Sequence, residues 1–188
     1  MRKLTVFNFI TLNGYYKGPG GDISWHKQIT GEEESEYAKK GAQSRSALLF
    51  GRVTYEMMAG YWPTPAALQQ NPGVAEGMNR SEKIVFSKTL KSADWNNTTL
   101  IKDDLVAAVK RLKQQPGGPM TILGSGSIVA PLAAESLIDE YQFMLDPLAL
   151  GSGTPIFNGL QQQQLNLQLK DTKVFKSGIV LLCYQPAK

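Results

Sequence analysis

The sequence predicts an α/β fold: a three-layer sandwich around a central, mostly parallel sheet, with an antiparallel hairpin at its C-terminal end. Three observations carry that reading. Short apolar runs rich in β-formers alternate with segments of helical period along most of the chain, as βα units on a parallel sheet require. Near the end, LNLQLKDTKVFKSGIVLLCYQ alternates leucine with polar residues, turns near Lys176-Ser177-Gly178 and returns, which adds antiparallel character at an edge. No linker separates two cores and no internal repeat is visible, so the 188 residues are expected to form one domain, 1–188.

Taken in order, KLTVFNFI (3–10) reads as a buried strand. TLNGYYKGPGGDISW follows as a long loop, and long loops in compact domains are often functional. The stretch 30–45 reads as a helix with Thr30 as N-cap, acids in its first turn and lysines later, as the helix dipole prefers. Glu32, Glu33 and Glu34 read there as a solvated helix start. SALLFG is a short strand, RVTYEMMAGYW a helix directly behind it, and PTPAALQQNPG a loop. EKIVFSK and NTTLIK are strands. DDLVAAVKRLKQQPGG is a helix with an Asp cap and a Pro-Gly stop. PMTILG is a strand, SIVAPLAAESL a helix with Pro131 near its first turn, and IDEYQFMLDPLALGSGTPIF a strand entering a glycine-containing loop.

Composition narrows the function classes. A net charge of +4 suits phosphorylated ligands but is too small, and too evenly spread, for nucleic-acid binding. The single cysteine, Cys183 in GIVLLCYQ, allows no internal disulfide and reads as core filling. One histidine and one cysteine exclude an ordinary Cys/His zinc site, and the zinc deaminase signature is absent. The lone histidine, His26, reads as a solvent-exposed loop residue. No apolar run approaches the roughly 18 residues that cross a bilayer. No targeting segment is visible either, so no membrane association and a cytoplasmic location are expected.

Ligands of such sheets bind at the carboxyl ends of strands. Three ends share one style. In LLFGRVTYE, Gly51 permits close approach, Arg52 offers a guanidinium and Thr54 sits near a helix N-terminus, where backbone N–H groups suit a phosphate. In IVFSKT, Ser87 and Lys88 place a hydroxyl and an ammonium past a strand. In ILGSGSIV, glycines precede a helix. This last stretch is not a Rossmann fingerprint, because Val129 stands where the third glycine belongs and the motif comes late in the chain. Together the three ends point to a ligand with several phosphates laid across the sheet edge.

TLNGYYKGPGGDISW, FGRVTYE, IVFSKTL, ILGSGSIVAPL and DPLALGSGTPIF, in this order and spacing, cover nearly the whole chain. On these motifs the chain resembles the dihydrofolate reductase-like family, in the branch similar to the C-terminal reductase domain of bacterial riboflavin biosynthesis. The resemblance implies NADPH as cofactor. Gly51, Arg52, Val53, Thr54, Ser87 and Lys88 would hold its phosphates and adenosine ribose. Gly124, Ser125, Gly126, Ser127 and Ile128 would bind the pyrophosphate and flank the nicotinamide, at a turn where the family often has a cis peptide. Phe9 and Tyr16 join the cofactor side, and Phe7, Asn8 and Trp25 the substrate side. The loop after the first strand would be a mobile flap, with Asp22 and Trp25 near the substrate mouth.

The expected activity is hydride transfer from NADPH to a small heteroaromatic, pyrimidine- or pterin-like substrate, with a homodimer as the assembly. Asp22 and Asn13 mark the catalytic end. Many relatives carry Asp where Asn13 stands, and an amide cannot act as a general acid. The proton would then come from pocket water, from Asp22 or from a first-helix Glu, although none of those acids can be placed facing inward. A member that binds the nucleotide without catalysis is the alternative.

Overall fold

A computed structural model describes residues 1–27, 31–160 and 164–187. In chain order the elements are β1 (Leu4–Thr11), β2 (Tyr15–Lys17), α1 (Ser24–Lys27), α2 (Glu32–Ala42), β3 (Ala47–Gly51), α3 (Arg52–Tyr61), α4 (Pro65–Gln70), α5 (Pro72–Arg80), β4 (Lys83–Phe86), β5 (Thr98–Ile101), α6 (Leu105–Gln114), β6 (Met120–Leu123), α7 (Gly126–Ala134), β7 (Glu140–Asp146), β8 (Thr154–Pro155), β9 (Leu167–Val174) and β10 (Val180–Pro186). Eight strands form one sheet in the order β5-β4-β3-β6-β1-β7-β10-β9, and β2 pairs with β8 in a separate ribbon. All neighbours in the large sheet are parallel except β10, which runs antiparallel to both β7 and β9.

Alternation along β1 assigns the two faces of the sheet. Leu4, Val6 and Ile10 point into a core shared with Ala108 and Val109 of α6 and Val129 and Leu132 of α7. Phe7 and Phe9 point the other way, toward Met144, Leu181 and Tyr37 of α2. Farther along that second face, Phe50 and Val85 pack on Tyr55 of α3 and Met78 of α5. Helices therefore cover both faces, which makes the three layers.

Local chemistry explains several boundaries. Asp104 accepts from the Ala107 N–H at 2.9 Å and caps α6. The stretch expected as a loop, PTPAALQQNPG, instead holds α4 and the start of α5. Pro65 and Pro72 sit in the first turns of these helices, where a missing N–H costs nothing. Thr64 caps α4 by accepting from the Ala67 N–H at 3.2 Å. Pro131 lies well inside α7 rather than near its first turn. Thr30, the expected cap of α2, falls outside the described residues, and Gly31 is the residue at the N-cap position.

Of the acids that open α2, Glu32 is solvated as expected, but Glu33 is half-buried and Glu34 is buried. Glu34 is only 3% exposed. Its carboxylate accepts from the Gly31 N–H at 3.0 Å and from the Ser177 hydroxyl, while Glu33 accepts from the Lys176 N–H at 3.2 Å. The first turn of α2 thus holds the turn of the β9–β10 hairpin. Lys83 is also fully buried, and its ammonium donates to the carbonyls of Met78, Asn79 and Ser81 at the end of α5. Burial pushes its pKa down to about 8, so it remains protonated at neutral pH. No helix among the described residues is long and apolar enough to cross a membrane.

Candidate active site

Two strand ends meet at the carboxyl edge of the sheet. Gly51 closes β3 and opens α3; Ser125 precedes α7, and neither position makes a side-chain cap bond to its own helix. The Gly51 N–H donates to the Ser125 hydroxyl at 3.0 Å, which ties the two helix starts together. A Cβ on Gly51 would lie 3.1 Å from the Ser127 hydroxyl, and one on Gly124 3.2 Å from the Thr54 methyl. Gly124 and Ser125 make the turn with left-handed φ of 59° and 55°, a region that favours glycine. The peptide bonds of the described residues are all trans, so these two residues turn the chain here without the cis bond expected from the resemblance. Asn8 faces the same turn from below: turned so that its nitrogen meets the carbonyls of Phe7 and Gly124, at 3.0 and 3.2 Å, its amide donates to both.

This arrangement fits the phosphates of a dinucleotide. Two helix N-termini present backbone donors side by side, and Gly51 and Gly124 keep side chains out of the gap. Ile128 is buried beneath, whereas Ser127 and Arg52 are exposed and Val53 is 65% exposed at the rim. Tyr16 lies across the opening of α7, its ring within 3.0 Å of where a Gly126 Cβ would stand. A cleft of about 550 Å³ continues from Arg52 and Glu56 to Thr89, Leu90, Lys91 and Ser92. Arg52 pairs there with Glu56 at 3.1 Å. The Ser87 hydroxyl is spent on its own turn, accepting from the Thr89 and Leu90 N–H groups. Lys88 is exposed at the same strand end, outside the residues that line the cleft.

Beside this cradle an aromatic shelf lies on the second face of β1. Phe7 meets Phe9 edge-on at 5.3 Å and stacks on Tyr37 at 6.2 Å. Asn8 points to the opposite face, as alternation along a strand demands, so it does not share this shelf. The upper end of the shelf belongs to His26. Its ring stacks on Phe9 at 3.5 Å between centroids, and its side chain is only 16% exposed. Nδ1 lies 3.2 Å from a carboxylate oxygen of Asp146, a side chain with no exposure at all. The histidine expected to be solvent-exposed is therefore half-enclosed, held by Phe9 and Asp146. A partner 120 positions away cannot be read from local sequence.

The residues expected at the catalytic end are placed otherwise. Asn13 is exposed, and its amide is used in fixing the loop: Nδ2 donates to the Leu150 carbonyl at 2.7 Å, and Oδ1 accepts from the Leu150 N–H and the Thr11 hydroxyl. Asp22 faces solvent and accepts from the Ser24 N–H and hydroxyl. The Ser24 backbone N–H, more than any other group, holds its pKa below the usual value, so it is ionised at neutral pH and has no proton to give. Trp25 is buried rather than open at a mouth, its ring N–H donating to the Asp22 carbonyl at 3.3 Å. The loop that carries these residues is not wholly irregular, since Tyr15 and Lys17 pair with β8.

Comparison with known proteins places this geometry in a lineage. The family model of the RibD C-terminal domain matches residues 2–181. The chain belongs to that family. It is 25% identical over 183 residues to the Bacillus subtilis (strain 168) protein YyaP, described as uncharacterized, covering 97% of this chain and 94% of that one. Among solved structures it resembles a protein of Shewanella sp. PV-4 provisionally assigned to riboflavin biosynthesis, with a TM-score of 0.78, 21% identity and 99% of each chain covered. It also resembles the dihydrofolate reductase of Enterococcus faecalis complexed with NADP(H), with a TM-score of 0.64, 14% identity, and 99% and 97% of the two chains covered. The fold of this RibD C-terminal domain is that of dihydrofolate reductase.

Proposed function

We propose that the protein is an NADPH-dependent reductase that delivers hydride to a small planar heteroaromatic substrate, of the kind reduced by 5-amino-6-(5-phosphoribosylamino)uracil reductases. The observation that carries this reading is the junction of α3 and α7 through Gly51 and Ser125, directly beside the shelf of Phe7, Phe9 and Tyr37. The junction supplies phosphate donors. The shelf supplies apolar ring surface, with Phe7 and Phe9 edge-on to each other, against which the nicotinamide and the substrate can pack. NADPH supplies the hydride. The chain's own residues bind it, orient the rings and exclude water. Arg52 and the Thr89–Ser92 rim would take the adenosine end.

The test is direct. NADPH binding is followed by fluorescence, and oxidation at 340 nm with a panel of pterins, aminouracils and related imines. Saturable binding with turnover of at least one ring substrate supports the reading; no binding refutes it. A second reading, a nucleotide-binding member without catalysis, is favoured by one observation. Neither Asn13 nor Asp22 is in a state to donate a proton. Tight NADPH binding without turnover of any panel member would select it.

A further inference from the structure

We infer that His26, oriented by the buried carboxylate of Asp146, is the proton donor of the reduction. The inference rests on the reductase reading above and fills the gap it leaves. Hydride addition to the carbon of a C=N bond needs a proton for the nitrogen, and neither expected donor can supply one.

The geometry points to the imidazole. It is the one ordinary side chain that holds and releases a proton near neutral pH. His26 stands at the upper end of the aromatic shelf, against Phe9. Phe9 is two residues beyond Phe7, whose carbonyl receives the Gly124 N–H of the glycine turn at 3.3 Å. Asp146 pairs with Thr11 at the end of β1, so the ring stands at the same carboxyl edge of the sheet as the glycine turn. Asp146 is fully buried and aims its carboxylate at Nδ1, with both oxygens within 3.3 Å. A carboxylate on Nδ1 fixes the ring plane and keeps the proton on that nitrogen in the neutral tautomer. Nε2 is then the nitrogen that exchanges a proton with the substrate. Asp146 is a positioning residue in this scheme and does not touch the reacting atoms.

The step balances. The substrate carbon accepts hydride from the dihydronicotinamide, so a C–H bond forms and the C=N π bond breaks. The electron pair gathers on the substrate nitrogen. That nitrogen takes the proton from Nε2, and the neutral ring recovers one from solvent. The other titratable groups on the elements around the ring do not compete near neutral pH. Tyr37 on α2 is pushed up to about 12, chiefly by burial, and Cys183 on β10 is also raised by burial. Asp22 ahead of α1 faces solvent as a carboxylate, and Glu33 and Glu34 on α2 are bonded to the hairpin turn.

The chain contains one histidine, so one imidazole can be followed without assignment. Long-range ¹H–¹⁵N spectra of the unliganded protein should show the neutral ring protonated on Nδ1. In Asp146→Asn the ring should lose that preference and the Nδ1 proton signal should move. In kinetics with NADPH and the best panel substrate, His26→Gln should lower kcat about a hundredfold or more, within the usual range for losing a general acid, and abolish the fall in rate as pH rises. NADPH affinity should stay within about threefold. If Asp146→Asn does not fold, His26→Gln carries the test alone, because His26 stands on a four-residue helix and is not fully buried. A wild-type enzyme that turns over while His26→Gln keeps its rate and pH profile overturns the donor role and leaves the reductase reading standing. A wild-type protein that binds NADPH but reduces nothing overturns the donor role as well. A ring protonated on Nε2 regardless of residue 146 overturns the pairing whatever the turnover.

Discussion

Glu140→Gln offers a perturbation whose size follows from the structure. Glu140 opens β7, and its side chain is 7% exposed. Lys3 and Lys170 each donate to Oε2 at 2.7 Å, and the Gln142 amide donates to Oε1 at 2.6 Å. Burial alone would raise the carboxyl pKa. The three donors outweigh it and bring the pKa from 4.5 down to about 2. Each tenfold change in proton affinity is worth about 1.4 kcal/mol, so a drop of this size sets a ceiling of about 3.4 kcal/mol. Both ammoniums are half exposed, and water screens them; a contribution of about 1–2 kcal/mol is the discounted figure. The folded pKa lies below the unfolded one. The stabilisation is therefore complete above about pH 4.5 and is lost as pH falls toward 2. Urea unfolding of wild type and Glu140→Gln should differ by about 1–2 kcal/mol at pH 7, and the gap should narrow steadily below pH 4.5. A gap of constant size from pH 7 to pH 3 would refute the charge argument and leave only shape.

Other expectations concern the site and its supports. If the rim guanidinium reads the 2′-phosphate, as the proposed function assigns it, Arg52→Ala should weaken NADPH at least about tenfold and NADH less than about threefold, by fluorescence titration; equal loss for both would assign Arg52 to the pyrophosphate or to structure. Asn13→Asp, which places an acid at that position, should not raise turnover. It replaces the amide that donates to the Leu150 carbonyl with a carboxylate facing that oxygen, and should cost about 1 kcal/mol in denaturation. Gly77→Ala should cost about 1–3 kcal/mol, since its Cβ would fall 2.6 Å from the Ala42 carbonyl where α5 crosses α2, and backbone cannot step aside. A neutral effect in the same melt would show that the two helices can part.

What the sequence made legible was local. Asp104 caps α6 through a bond to the residue three positions on, and Gly124 to Gly126 announce a turn before a helix because the turn itself needs those residues. The strands showed because each carries its own apolar run. The prolines of 63–72 misled for a local reason too. Proline both breaks helices and opens them, and only Thr64 on the preceding position tells the two apart. The site's chemistry lies beyond that range. Glu34 meets Ser177, and His26 meets Asp146, across 143 and 120 residues. Nothing in either segment encodes its partner. The sheet order alone brings α1 over the end of β7, and turns a run of acids into a buried carboxylate. The resemblance to the family pointed to the glycine-lined strand ends, but not to the pairing of His26 with Asp146.

The position of β1 has a consequence for synthesis. Its neighbours on either side, β6 and β7, begin at Met120 and Glu140. A ribosome working at about 5–20 residues per second needs roughly 6–23 seconds to reach the first of them. Through that interval LTVFNFIT has no strand to pair with, and it is apolar enough to seek one on another chain. A strand at the centre of the finished sheet is thus a long-exposed apolar liability of the nascent chain, and a segment where a chaperone would be needed.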